Sequence, residues 1–356
     1  MNISTLLGKM SSPGQINYIQ NLIQFGKMLF LCFPQCWKTS LFFLTLFSLI
    51  SISPQYGSLF GANKIALVES TASPEYRLAA NGFKVLVETK SPRIRIDNWL
   101  LEGKEGTEAR IWQEVAESQP ALIVTVGTQA TKSALEHIES IPIVFTMTWE
   151  DFTRLPSDIP DAQKPIGGVS ISIPIEHQLK ILFEALPMVR RLGILYSSSQ
   201  ENLFNSALEY SKQEKINLIG SGVGSYKDVP LTLKKIISSI DGLILPPDAN
   251  IYHPDALQFI LHECFQKGIP VMAFSEQLAV AGAPLTIGLD YKDIGRQTAE
   301  LAIQILSNQN LNRGQREFPR TVLLYINEAV SLKMGLYFSR KILDKAIIVG
   351  KGNPEQ

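Results

Sequence analysis

A set of hydroxyls, carboxylates and aromatics stands at the positions where an α/β chain places its ligand groups. The hydroxyls are Ser70, Thr71, Thr128, Thr146, Thr148, Ser197 and Ser275, and the carboxylates are Asp248, Glu276 and Asp290. Trp149 and Tyr196 are the aromatics. Each lies at or just past the end of a short apolar run that reads as a strand. In open α/β sheets, ligands bind beyond the carboxyl ends of the strands. Hydroxyls and helix-start N–H groups suit a carboxylate, a carboxylate suits an amine, and an aromatic face suits a ring. Together they would hold a small zwitterion. Thr128 and Ser197 are expected to meet its carboxylate or polar head, Asp248 or Asp290 its amine, and Trp149 or Tyr196 its side group. Any one Ser, Thr or Asp after a strand serves equally as a helix cap. It is the set, spread over both halves of the chain, that favours a cleft.

Catalytic signatures are missing. There is no G-x-S-x-G elbow, no Walker loop and no G-x-G-x-x-G. Gly220-Ser221-Gly222-Val223-Gly224 follows a strand without the spacing of a phosphate loop. His253 and His262 are too far apart for a metal pair, and His137 and His177 fall in helical patterns. No catalytic residue, metal or cofactor is expected, and an enzyme lacks its nucleophile and base.

The elements that must position these residues alternate. Lys64 to Glu69 reads as a strand and Tyr76 to Leu86 as a helix, although Val85-Leu86-Val87-Glu88 also reads as a second strand. Thr107 to Ser118 is an amphipathic helix ended by Pro120. Ala121 to Val126 is a near-continuous apolar strand, as in a parallel sheet covered on both faces. Strands follow at Ile141–Thr146, Arg191–Tyr196, Asn217–Ser221, Gly242–Pro246, Ile269–Phe274 and Leu285–Leu289. Helices lie between them at Gln129–Ile138, Glu176–Leu186, Asn202–Lys215, Val229–Ile240 and Pro254–Lys267, and Asp293–Ser307 closes the series. This order predicts doubly wound α/β lobes with right-handed crossovers.

At 356 residues the chain suits two lobes. Lys plus Arg equals Asp plus Glu at 33 each, which argues against nucleic-acid binding through bulk charge. Three cysteines exclude a disulfide-stapled fold. Residues 1–62 contain no Asp or Glu, and an apolar run from Thr39 to Ser53 follows Lys38. A positive flank before a short apolar run is the pattern of a secretory signal. The alternative is an uncleaved anchor over residues 38–53. Both place the body outside the cytoplasmic membrane. Cys264, the one cysteine of the body, is expected to be a small buried residue.

Several stretches, in order, resemble a known family. They are Ala121–Ala130, Gly168-Val169-Ser170 with Ile173–Leu179, Leu186-Pro187 with Leu192–Tyr196, and Asp241–Asp248. Gly282-Ala283, Leu289-Asp290-Tyr291, Ile294-Gly295, Ala299 and Ile326-Asn327 to Leu336 continue the match. The pattern is similar to the ABC-transporter substrate-binding family that includes tryptophan- and tyrosine-binding proteins. The resemblance runs from about Ala121 to Val349. It departs at Phe145-Thr146-Met147-Thr148-Trp149-Glu150-Asp151, where the family carries an Asp-Pro pair. That change touches the cleft rim, so the ligand need not be an aromatic amino acid.

The resemblance implies a type I periplasmic-binding-protein fold, with two α/β lobes joined by a hinge. The first lobe is expected over residues 63–166 with 289–307, and the second over 167–288 with 308–350. It further implies a monomeric, periplasmic receptor that binds a small molecule, such as an amino acid, between its lobes. An ABC permease would be its membrane partner. A membrane-associated sensory protein that signals to a partner is the rival reading.

Overall fold

The computed structural model describes residues 64–101, 106–149, 166–307 and 315–350. The expected leader or anchor lies outside them. Among the described residues, no helix is long and apolar enough to cross a membrane.

Two sheets carry the fold. The first contains β1 (Lys64–Glu69), β2 (Arg95–Leu100), β3 (Leu122–Val126), β4 (Ile143–Thr148), β5 (Ile166–Ser170) and β11 (Arg316–Glu317), in the order β11-β5-β4-β3-β1-β2. All its pairings are parallel. The second contains β6 (Arg191–Tyr196), β7 (Asn217–Gly222), β8 (Gly242–Ile244), β9 (Val271–Ala273), β10 (Leu285–Leu289), β12 (Val322–Asn327) and β13 (Ala346–Val349). Its order is β13-β12-β10-β9-β8-β6-β7, and only β10 and β12 pair antiparallel.

Burial on both faces explains the apolar runs. In the first sheet Ile65, Leu67, Val124 and Val144 face one core, under α1 (Pro74–Lys90) and α9 (Tyr291–Leu306). Ala66, Val68, Ile123 and Phe145 face another, under α2 (Glu108–Glu117) and α3 (Thr128–His137). The second sheet is covered likewise by α4 (Ile175–Ala185), α5 (Glu201–Gln213), α6 (Val229–Ile236) and α7 (Pro254–Gln266).

Val85–Glu88 is helical, not a strand. Ser73 caps α1 by accepting from the Tyr76 N–H, and Pro74 starts the helix. Ala79, Ala80, Phe83 and Val87 then turn inward at helical spacing while Val85 stays exposed. The second strand is instead Arg95–Leu100. It is an edge strand carrying Arg95, Asp97 and Asn98, and its polar face hides the strand signal. Residues 167–170, expected in the second lobe, pair with β4 in the first sheet as part of β5. Arg316 and Glu317 likewise pair with β5, not with the second sheet.

Helix α9 follows a strand of the second sheet yet packs against α1. Contact is possible because two glycines meet it. A Cβ on Gly82 would lie 2.1 Å from the Lys292 carbonyl oxygen, and one on Gly295 would lie 1.9 Å from that of Ala79.

Among the described residues, three segments cross between the sheets: β5 to α4, β10 to α9, and β11 to β12. They are laced together by side chains. Arg320 donates to Asp293 through Nε and Nη2, each at 3.0 Å, and Thr321 Oγ1 donates at 2.6 Å. Arg296 Nε adds a bond of 3.1 Å. These bonds hold the Asp293 carboxyl well below the usual range, Arg320 being the largest cause. Arg316 Nη2 reaches Ser170 Oγ at 3.1 Å, tying β11 to the end of β5. Cys264 is wholly buried on α7, where desolvation first and Glu263 second push its thiol up to about 12.

Candidate functional site

The carboxyl ends of β1 and β3 border a cavity of about 530 Å³. Ser70 and Thr71 follow β1, and Thr128 and Gln129 begin α3. The Ser70 hydroxyl donates to the Val126 carbonyl at 3.0 Å and accepts from the Ala130 N–H at 2.9 Å. It therefore caps α3 from a neighbouring strand. Gly127 makes the turn at φ 97°, and a Cβ there would stand 2.6 Å from Ser70 Oγ. Thr128 is half-buried at the cavity's edge. Tyr76 also borders it, its phenol pushed up by burial first and Glu75 second.

Glu108, at the start of α2, is a cavity carboxylate that sequence reasoning missed. It accepts from Gln129 Nε2 at 2.7 Å and from the Ser133 hydroxyl. Ser133 in turn accepts from buried Trp112 Nε1 at 2.8 Å. Only the i, i+4 placement of Gln129 and Ser133 on α3 hints at a shared partner, and nothing local names Glu108.

Thr146 and Thr148 are buried on β4. Between them Met147 takes φ 59°, where the pairing with β5 slips by one residue. Such a bulge bends the strand and re-aims the residues beyond it. The first of these is Trp149, 51% exposed. Trp149 and Ile171 line a crevice with Pro247, Phe274, Ile287 and Leu289 from the second sheet. The ends of β4 and β5 thus meet the ends of β8, β9 and β10. The remaining space is about 20 Å³.

On the second sheet, Ser197 and Asp248 come together in each other's hydrogen bonds. The Asp248 carboxylate accepts from the Ser197 N–H at 2.8 Å, the Ser197 hydroxyl at 3.0 Å and the Asn250 N–H at 3.0 Å. Asn250 Nδ2 returns to Ser197 Oγ at 3.1 Å. Asp248 is 2% exposed, so its charge is spent on the two loops after β6 and β8. Burial, with Asp248 the second cause, pushes the neighbouring Tyr252 phenol well up. Tyr196 stacks on Phe204, with ring centres 4.3 Å apart.

Ser275 caps α8 (Glu276–Val280), and Asp290 caps α9 by accepting from the Asp293 N–H at 2.9 Å. Asp290 also lies 3.9 Å from Arg296, so it is tied to its own helix. Glu276, exposed on α8, is the second cause after burial of a raised Tyr325 phenol. Among the described residues, no cluster of three or more His, Cys, Asp or Glu is arranged to hold a metal ion.

Comparison with known proteins agrees with this architecture. The model of a family described as ABC transporter substrate binding protein matches residues 78–349. A tyrosine-binding protein of Clostridioides difficile is 23% identical over 278 residues, covering 74% of this chain and 78% of its own length. Among solved structures, the ligand-free, open form of a substrate-binding protein with adhesive properties from Clostridium difficile superposes with a TM-score of 0.68. It is 19% identical and covers 81% of this chain and 99% of its own. A domain from Streptococcus pneumonia in complex with L-Trp superposes at 0.56, is also 19% identical and covers 81% and 100%. These likenesses show the type I periplasmic-binding-protein fold.

Proposed function

Because the chain belongs to the ABC transporter substrate-binding protein family, we propose that it is an extracytoplasmic receptor for an importer. It takes a small zwitterion, an amino acid or close analogue, between its lobes. Closure about the hinge buries the solute and creates the form that a membrane permease distinguishes. One observation carries the reading: the carboxyl ends of strands from both sheets meet around Trp149, Pro247 and Phe274. That is where open α/β sheets bind ligands.

Residues then divide by task. Thr128, with Thr71 and Gln129 beside it, offers hydrogen bonds from the first lobe, and Tyr196 and Ser275 offer theirs from the second. Ser70, Ser197, Asp248 and Asp290 act one step back, holding the loops and helix starts in place. Thr146 and Thr148 set the bulged end of β4 on which Trp149 stands.

Native mass spectrometry of the purified chain, followed by melting curves with amino acids, tests the reading. A solute that binds only the folded state raises the melting temperature by mass action. One amino acid that does so, with Thr128→Ala weakening the effect, supports the receptor. No bound solute and no shift with amino acids, short peptides or purines sinks it.

A further inference from the structure

We propose that the crossing from β11 to β12 moves as part of the first lobe, and that the hinge bends at one junction in each crossing: Ser172–Ile173, Leu289–Asp290 and Thr321–Val322. Arg320 and Gln297 are the positioning residues that confine the bending there. The inference rests on the two-lobed fold and holds whichever solute the cleft takes.

Between β11 and β12 stand four residues, Phe318 to Thr321. Helix α9 of the first lobe grips them along its length. Asp293, Gln297 and Glu300 stand at i, i+4 and i+7, on one face of that helix. The Gln297 side chain donates to the Phe318 carbonyl at 3.1 Å and accepts from the Arg320 N–H at 3.3 Å. Arg320 donates to Asp293 through Nε and Nη2 at 3.0 Å each, and to Glu300 through Nη1 at 2.7 Å. Thr321 Oγ1 completes the row on Asp293. A two-pronged guanidinium–carboxylate pair fixes direction as well as distance. The helix itself is seated on α1 by the Gly82–Gly295 contact. The crossing is thus bound to the first lobe as far as Thr321, and the next residue, Val322, already pairs with Leu289 in the second sheet.

The other two crossings divide as sharply. Asp290 caps α9 through the Asp293 N–H, and its carbonyl accepts from the Ile294 N–H, so it belongs to the first lobe. Leu289, before it, is the last residue of β10. Between β5 and α4, Arg316 Nη2 reaches Ser170 Oγ at 3.1 Å and Ser172 Oγ at 3.4 Å, and the Ile171 N–H donates to the Thr148 carbonyl at 3.0 Å. Ile173 instead gives its carbonyl to Gln178 of α4, at 2.7 Å. Hinges are a few element-terminal residues that absorb the change in φ and ψ. Two of the junctions lie side by side, because Leu289 and Val322 are paired. Short pivots so placed favour rotation about one axis. A loose four-residue link would let the lobes also twist and slide, and closing on a solute would then have to order it.

The test measures distances by pulsed electron paramagnetic resonance in the full chain without ligand. Spin labels are placed pairwise on non-natural residues at Glu139 of the first lobe, Glu209 of the second and Phe318 of the crossing, all exposed. The Phe318–Glu139 distribution should be narrower than the Phe318–Glu209 one. Gln297→Ala and Arg320→Ala should each broaden both the Phe318–Glu139 and the Glu139–Glu209 distributions by about half or more. Arg320→Lys should do so less, since lysine keeps the charge but not the two-pronged bond. Melting curves check that each variant is folded before freezing. Gln297→Ala leaves the Asp293–Arg320 pair in place, and it decides alone if Arg320→Ala does not fold. A Phe318–Glu139 distribution no narrower than the Phe318–Glu209 one detaches the crossing from the first lobe and overturns the proposal. So do unchanged distributions in the folded variants, even with lowered melting temperatures, which would make these bonds a source of stability only.

Discussion

Gly82 and Gly295 are reciprocal: each lies against the carbonyl three residues before the other, Lys292 for Gly82 and Ala79 for Gly295. Helices α1 and α9 approach backbone to backbone at that point. No rotamer change can absorb a methyl group there, because the obstacles are main-chain atoms. Gly295→Ala should destabilise the protein by about 3 kcal/mol, the upper range for overpacking, and Gly82→Ala by a similar amount. Chemical denaturation measures both. The double variant should cost less than the sum, because one displacement of α9 relieves both clashes. Full additivity would mean that the two contacts yield separately.

Asp293 should make stability depend on acid. Its folded carboxyl is held below the ordinary range, chiefly by Arg320. A depressed acid stabilises above its unfolded pKa of about 3.9, and the benefit is lost as pH falls toward the lower folded value. Stability should therefore decline below about pH 4 in the wild type, with a shallower decline in Asp293→Asn. At neutral pH that variant should cost about 2 kcal/mol, the scale of hydrogen bonds to a charged group. Parallel acid slopes in the two proteins would show that other carboxylates dominate.

Asp248 separates a scaffold role from a ligand contact. Three hydrogen bonds tie it to Ser197 and Asn250. Asp248→Ala should lower the melting temperature of the ligand-free protein, at about 1–3 kcal/mol for buried donors left unpaired. Thr128→Ala should leave that temperature within a degree or so, because a half-exposed hydroxyl contributes little. An Asp248→Ala protein that melts normally but loses solute would make the carboxylate a ligand group.

Cys264 should stay silent to thiol reagents in the folded protein. It is buried and its thiol is pushed up to about 12, so thiolate is scarce at neutral pH. Peptide mapping after alkylation should find Cys264 unmodified until denaturant is added. Rapid native labelling would reveal local opening of α7.

Much of this architecture was legible because parallel strands covered on both faces must be apolar throughout. Arg191–Tyr196 and Leu285–Leu289 could be read to the residue for that reason. Arg95–Leu100 could not, since an edge strand carries charge where a central one carries valine. Ile166–Ser170 was hidden by its glycines. Gly168 is needed where a Cβ would lie 2.1 Å from the Phe145 carbonyl oxygen, so packing removed the strand-forming side chain. Among the site residues, position after a strand was readable and partnership was not. Ser197 and Asp248 are 51 residues apart, and only the adjacency of β6 and β8 reveals that they satisfy each other.

The chain order of the first sheet has a consequence for how the molecule is made. Its cover α9 and its edge β11 come from residues 291–317, after every strand from β6 to β10 has been synthesised. The face of β1, β3 and β4 that α9 covers stays bare until then. Contacts so distant in sequence form late, because long loops must close first. The core on that face of the first sheet therefore cannot be completed until residues 291–317 have been synthesised, well after the strands it covers.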